Sequence, residues 1–114
     1  MDHVVQENIA ELGARLRSAQ DNGLWPEWLL NVVIGTYHRI LGNTGASVTC
    51  YGLALKEAPL EYSDLVLTNL AGLLYKLGHV DAALKLVEEA VAVCDSEPET
   101  HFFLATLLAA KVKL

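Results

Sequence analysis

At 114 residues the chain has room for one contiguous core, and with 53% hydrophobic and 19% charged residues it is globular rather than disordered. Its net charge of −6 and its scattered cations (Arg15, Arg17, Arg39, Lys56, Lys76, Lys85, Lys111 and Lys113) exclude the clustered basic surface that a phosphate backbone attracts, so no nucleic acid partner is expected. Abundant Ala and Leu beside only 7% aromatic residues favour helix over sheet.

Residues 3–20 place Val5, Ile9, Leu12, Leu16 and Ala19 at helical spacing, with Glu7, Glu11, Arg15 and Arg17 around the rest of the barrel. Charges run through this stretch, which therefore does not read as a signal peptide or anchor, and no charge-free run reaches the roughly 20 apolar residues of a membrane span. The Asn22-Gly23 pair stops this first helix. Pro26 suits the first turn of a second, which runs to Leu41 and ends on Gly42 in a left-handed cap. Asn43, Thr44 and Gly45 are expected to form a tight connection to a third helix reaching Lys56, and Pro59 prevents its continuation. Ser63 is the expected N-cap of a fourth helix, Asp64 to Leu77, closed by Gly78. A fifth spans Val80 to Val93, and Ser96 with Glu99 makes a capping box for a sixth that carries Pro98 in its first turn. No segment alternates with period two, and connections this short pair neighbouring helices into antiparallel hairpins. The expected fold class is all-α.

Comparing the chain with itself reveals a repeat. At an offset of 36, Ile34-Gly35 falls on Leu70-Ala71, Leu41-Gly42 on Leu77-Gly78, Ala46 on Ala82, Tyr51 on Val87 and Ala54 on Ala90. At an offset of 34, Leu70-Ala71 falls on Leu104-Ala105. Small residues return where two helices approach closely, and glycine returns at the turn.

This ordered set resembles the tetratricopeptide repeat. One unit supplies Ile34-Gly35, Gly42, Ser47, Tyr51, Ala54 and Pro59, and the next Leu67, Leu70-Ala71, Gly78, Ala83, Val87 and Ala90. Leu67 stands where the pattern has tryptophan, Asn31 holds that place in the first unit, and Asp95 stands where proline is usual. The resemblance covers residues 28–110 and implies antiparallel helix hairpins stacked as a short right-handed solenoid. The expected division is a leading helix over 1–22 (the second half of a preceding repeat), repeats over 23–60 and 61–97, and the first helix of a third over 98–114. Segments 64–71, 81–83 and 101–105, with Cys50, are similar to one branch of the family associated with actin organisation and the primary cilium. That implies a cytoplasmic adaptor attached to the cytoskeleton or cilium.

The family lines its concave surface with the first helix of each pair. Here those positions carry Val32, Val33, Thr36 and Arg39, then Thr68, Asn69, Gly72, Tyr75 and Lys76. Such a surface holds an extended or helical peptide, so the expected partner is a protein or peptide. Some members clamp a terminal carboxylate with a fixed set of Lys, Asn and Arg. Only Asn69 matches, while Val32, Thr36, Glu99 and Phe103 occupy the other places, so that activity is not expected.

Neither catalysis nor a cofactor is expected. His3, His38, His79 and His101 are dispersed, and no His or Cys pair has metal-ligand spacing. Adjacent Glu88 and Glu89 diverge on a helix and, with Asp95, Glu97 and Glu99, read as a solvated acidic rim. Gly42 and Gly45 lack the downstream Lys-Ser or Lys-Thr of a phosphate loop. Trp25 and Trp28 read as packing anchors around Pro26, and Cys50 and Cys94 as reduced, partly buried thiols of an intracellular protein. The last helix is apolar on too many sides, with Phe102, Phe103, Leu104, Leu107, Leu108 and Val112. Two occupants fit its outer face: the continuation of a longer array, which is preferred, or a second copy giving a homo-oligomer.

Overall fold

A computed structural model describes residues 3–23, 25–94, 96 and 98–112; for residues 3–9, Leu12, Leu16 and Ala19 it describes the backbone alone. The apolar side chains expected along the first helix (Val5, Ile9, Leu12, Leu16, Ala19) thus lie outside the described residues, with those of His3 and Glu7 and with Asp95, Glu97 and Lys113. Among the described residues the secondary structure is all-α. The helices are α1 (His3–Asn22), α2 (Glu27–Leu41), α3 (Thr44–Glu57), α4 (Ser63–Lys76), α5 (Val80–Val93) and α6 (Pro98–Val112), with one 3-10 turn at Leu60–Tyr62. They form two compact units, Met1–Glu57 and Ala58–Leu114.

In the first unit α2 and α3 form a hairpin whose closest approach is at Gly35. A Cβ added there would lie 2.8 Å from Cδ1 and Cε1 of Tyr51. Only a residue without a side chain lets the Tyr51 ring, fully buried, rest on the α2 backbone. Two polar bonds fix the contact: Ser47 Oγ donates to the Gly35 carbonyl at 2.7 Å, and the Thr36 and Tyr51 hydroxyls share a hydrogen bond of 2.7 Å. In α1, a Cβ on Gly13 would meet the Tyr37 hydroxyl of α2 at 2.5 Å, so this glycine leaves room for the tip of that side chain.

The second unit repeats the hairpin with α4 and α5 and adds α6. Ala71, Ala83, Leu84, Val87 and Leu107 form its buried cluster, with Leu74, Leu86, Phe103 and Leu104 packed around it. Lys111 of α6 reaches Asp81 of α5 at 3.4 Å, but both side chains are largely exposed and such a pair contributes little.

The 36-residue offset holds in three dimensions within each hairpin. Gly42 and Gly78 both take the left-handed conformation, at φ 83° and 89°. After α2, the amides of Gly42 and Asn43 donate to the carbonyls of Arg39 and His38; after α4, those of Gly78 and His79 donate to Tyr75 and Leu74. This is one Schellman cap built twice. Ser47 and Ala83, Tyr51 and Val87, and Ala54 and Ala90 are all fully buried at matching places. The crossings differ in how volume is shared: Gly35 faces the large Tyr51, whereas Ala71 shares its cluster with the smaller Val87.

Three local expectations are corrected. The connection after Gly42 is shorter than residues 43–45, because the Asn43 carbonyl already accepts the Ser47 amide and Thr44 and Gly45 lie inside α3. Ser63 is not an N-cap. The 3-10 turn runs straight into α4, so Ser63 has helical angles (φ −66°, ψ −23°) and its hydroxyl donates back to the Leu60 carbonyl at 2.8 Å. Pro26 occupies the cap position of α2 rather than its first turn. α6 begins at Pro98, two residues beyond Ser96, whose Oγ lies 3.5 Å from Cys94 Sγ.

Candidate functional site

In the second unit, α4 and α6 together border a groove of about 380 Å³. Asp64, Leu65, Thr68 and Asn69 line it from α4, and Glu99 and Thr100 from α6. The helical period sets Thr68 over Asp64 and Asn69 over Leu65, each four residues apart, and these two neighbouring rows form the α4 wall of the groove. Asp64 and Glu99 each lie in the first turn of their helix. Thr68 Oγ1 donates to the Asp64 carbonyl at 2.6 Å. Asn69 Nδ2 donates to the Leu65 carbonyl at 2.8 Å, which leaves Oδ1 as the amide's open acceptor. Leu65 is 43% exposed and offers an apolar surface beside these groups.

Further along the same two helices, the ring of Tyr75 meets that of Phe103 edge-on, with centroids 6.2 Å apart. Tyr75 keeps about a third of its surface open, and Lys76, in the last turn of α4, is exposed. Of the expected positions on α4, Tyr75 and Lys76 are exposed, while Thr68 and Asn69 are half-buried and border one groove. Gly72 between them is half-buried.

Two of the positions expected on α2 fare differently. Val32 is 6% exposed, so it is a core residue and closed to a ligand. Thr36 donates to the Val32 carbonyl at 3.0 Å and shares its hydrogen bond with Tyr51, which makes it part of the hairpin's own fastening. Val33 and Arg39 are half-buried. The period-3.6 register told which residues share a face, but not which face its neighbours would cover.

Asp64, Leu65, Glu99 and Thr100 were absent from the expected surface. The repeat itself carried the missing signal: at the offset of 34, Leu65 falls on Glu99, and the two border one groove. A larger hollow of about 600 Å³ lies between the 3-10 turn and the end of α5, lined by Leu60, Glu61, Ala92 and Val93. Its walls converge no set of polar groups beyond Glu61, so the smaller groove has the richer chemistry.

Other residues weighed as chemical candidates take ordinary places. Trp25, expected as an anchor, is 44% exposed, while Trp28 is half-buried. Cys50 and Cys94 are free and half-buried, and burial pushes the Cys50 thiol above its usual pKa. Among the described residues no group of three or more His, Cys, Asp or Glu side chains is placed to hold a metal ion. No described helix is long and apolar enough to cross a membrane.

Hairpins closed by the same glycine cap, with small residues at each crossing, define the helical-repeat class of protein. Within that class the chain is related to the tetratricopeptide repeat proteins. It is 42% identical over 95 residues, 82% of its length, to tetratricopeptide repeat protein 17 of Mus musculus, and 41% identical over the same span to that of Homo sapiens. To the protein of that name from Danio rerio it is 31% identical over 100 residues, 88% of its length. The chain spans about 8% of the length of these relatives. No family model matches it. The relationship supports a protein–protein interaction scaffold in general, a class that is generally non-catalytic.

Proposed function

We propose that this chain is a non-enzymatic scaffold segment that holds a polypeptide along the face shared by α4 and α6. The observation that carries the reading is the groove itself. It lies where the first helices of two consecutive pairs meet, and it joins acceptor groups to the exposed side chain of Leu65. A polypeptide offers the matching features, backbone amides at regular intervals and apolar side chains between them. Thr68 and Asn69 would contact the segment at the groove, and Tyr75 and Lys76 further along α4. In the first unit, Val33 and Arg39 are the remaining expected contacts once Val32 and Thr36 are set aside.

The cytoplasmic setting, actin organisation and cilium assembly belong to this proposal as well. They are supported by the resemblance of segments 64–71, 81–83 and 101–105 to the branch described above. The division into a leading helix (1–22), two repeats (23–60 and 61–97) and a further first helix (98–114) is proposed on the equivalence of the two glycine caps.

Selection of a random peptide library on the 114-residue chain tests the reading. Selected peptides should shift the amide resonances of Thr68, Asn69 and Tyr75. Tyr75→Ala combined with Lys76→Glu should weaken their binding while the helical circular dichroism stays constant. A library yielding no binder, or binders whose shifts avoid α4, refutes it.

A second reading, self-association, is favoured by one specific observation. On α6, Phe102 is 76% exposed, Leu108 45% and Val112 86%. Light scattering on the chain and on a Phe102→Gln, Leu108→Gln variant separates the readings. A dimer abolished by the substitutions, with peptide binding intact, would favour oligomerisation.

A further inference from the structure

We infer that the groove between α4 and α6 selects a basic segment, with an arginine or lysine side chain held between Asp64 and Glu99. This inference rests on the reading that this face holds a polypeptide, and it names the partner's chemistry.

Complementarity of charge is the first ground. Residues 58–114 contain eight acids and four lysines, and the lysines of the described residues sit elsewhere: Lys76 at the end of α4, Lys85 on α5 and Lys111 near the end of α6. Among the described residues, neither Asp64 nor Glu99 is paired with a cation, whereas Asp81 has Lys111 and Glu11 has Arg15. The two acidic residues border one concavity from two different helices.

The second ground is the direction of the hydrogen bonds. The single proton of Thr68 Oγ1 is engaged by the Asp64 carbonyl, so that hydroxyl faces a ligand as an acceptor. One of the two Asn69 Nδ2 protons is engaged by the Leu65 carbonyl, and since a carbonyl only accepts, the amide's orientation is set, leaving Oδ1 as an acceptor beside the second proton. Acceptors thus dominate among the groups that meet a ligand. Guanidinium and ammonium groups are their natural complement, because both carry several donors and no acceptor. The exposed flank of Leu65 suits the methylene stem of such a side chain, which packs on apolar surface while its charged head stays polar. A terminal carboxylate or an acidic segment would instead meet two like charges.

The test uses the full 114-residue chain and a capped, fluorescein-labelled octapeptide alternating arginine with alanine. A glutamate–alanine octapeptide and spermidine serve as competitors. First-turn acids also favour the helix macrodipole, so each variant is melted to keep stability apart from binding. The arginine peptide should bind with a dissociation constant that rises with salt, shift the amides of Thr68 and Asn69, and resist displacement by the glutamate peptide. Asp64→Asn with Glu99→Gln should weaken it by about tenfold or more, as expected for two charge-assisted contacts. Glu88→Gln with Glu89→Gln removes equal charge from the exposed side of α5 and should leave affinity unchanged.

Equal weakening by both double variants would show a diffuse charge effect and overturn the inference. So would spermidine competing as well as the peptide, or the absence of any arginine-peptide shift at α4. Library peptides that occupy the groove without a basic bias would sink this inference alone and leave the scaffold reading standing. An arginine peptide that fails together with the library would sink both.

Discussion

Gly35→Ala is the substitution on which the repeat geometry can be judged most sharply. A methyl at this position would lie 2.8 Å from two ring carbons of Tyr51 and 3.3 Å from Cys50 Cβ. Carbon atoms in good contact sit about 3.5–4.0 Å apart, so the overlap with the ring is substantial. The ring has little freedom to move, because Tyr51 is fully buried and its hydroxyl is held by Thr36 at 2.7 Å. Over-packing of this kind costs about 1–3 kcal/mol, while replacing glycine by alanine inside a helix returns roughly 0.8–1 kcal/mol. If the ring shifts enough to lose its hydroxyl bond, about 1 kcal/mol more is forfeited. The net expectation is destabilisation by about 1–2 kcal/mol. Tyr51→Val alone should also destabilise, by leaving a cavity, at about 2–3 kcal/mol. Together the two changes recreate the Ala–Val combination found at Ala71 and Val87, so the double variant should be more stable than the sum of the single effects by about 1–2 kcal/mol. Urea denaturation followed by circular dichroism measures all three, with Gly52→Ala as the control. Nothing lies within 4 Å of a Cβ at Gly52, and that variant should gain up to about 1 kcal/mol. Strict additivity in the double variant, or a Gly35→Ala protein as stable as Gly52→Ala, would refute the equivalence of the two crossings.

Other outcomes follow from the same structure. Gly78→Ala forces a side chain into φ 89° and should destabilise by about 1–2 kcal/mol in thermal melts, with Gly42→Ala behaving alike at φ 83°. Ala90→Leu, at a fully buried position, should cost about 1–3 kcal/mol by over-packing, and a neutral effect on urea denaturation would contradict its place in the core. Burial raises the Cys50 thiol pKa, so less thiolate is present at neutral pH than in the unfolded chain. Iodoacetamide should therefore alkylate Cys50 more slowly in the native protein than in urea, and its rate should climb at higher pH than that of an unfolded control.

Helix boundaries were legible where a residue has only one backbone use. Gly42 and Gly78 announced their caps, and α5 spans the expected residues. Ser63 misled because its N-cap chemistry is conditional on an extended backbone, and the preceding 3-10 turn supplies a helical one. The self-comparison found the crossings because backbone approach demands small residues at Gly35 and Ala71, whatever else the sequence does. The candidate site was less visible. Val32 and Thr36 share their register with Thr68 and Gly72 on α4, and only the packed structure shows that Val32 is covered and Thr36 bonded inward. Asp64 and Glu99 looked like ordinary first-turn acids, because the sequence shows each on its own helix and not the groove they border.

The two hairpins are fastened by different kinds of force. Between α2 and α3, hydroxyls on Ser47, Thr36 and Tyr51 make bonds that have one best angle, so rotating or sliding one helix against the other breaks them. Ala83 and Val87 hold the corresponding places between α4 and α5 without a polar side-chain atom, and apolar packing is far less particular about angle. The earlier hairpin is thus a clamp with a single setting. The later one is held by close contact alone, so the volumes of Ala83 and Val87, and not a bond angle, set its geometry.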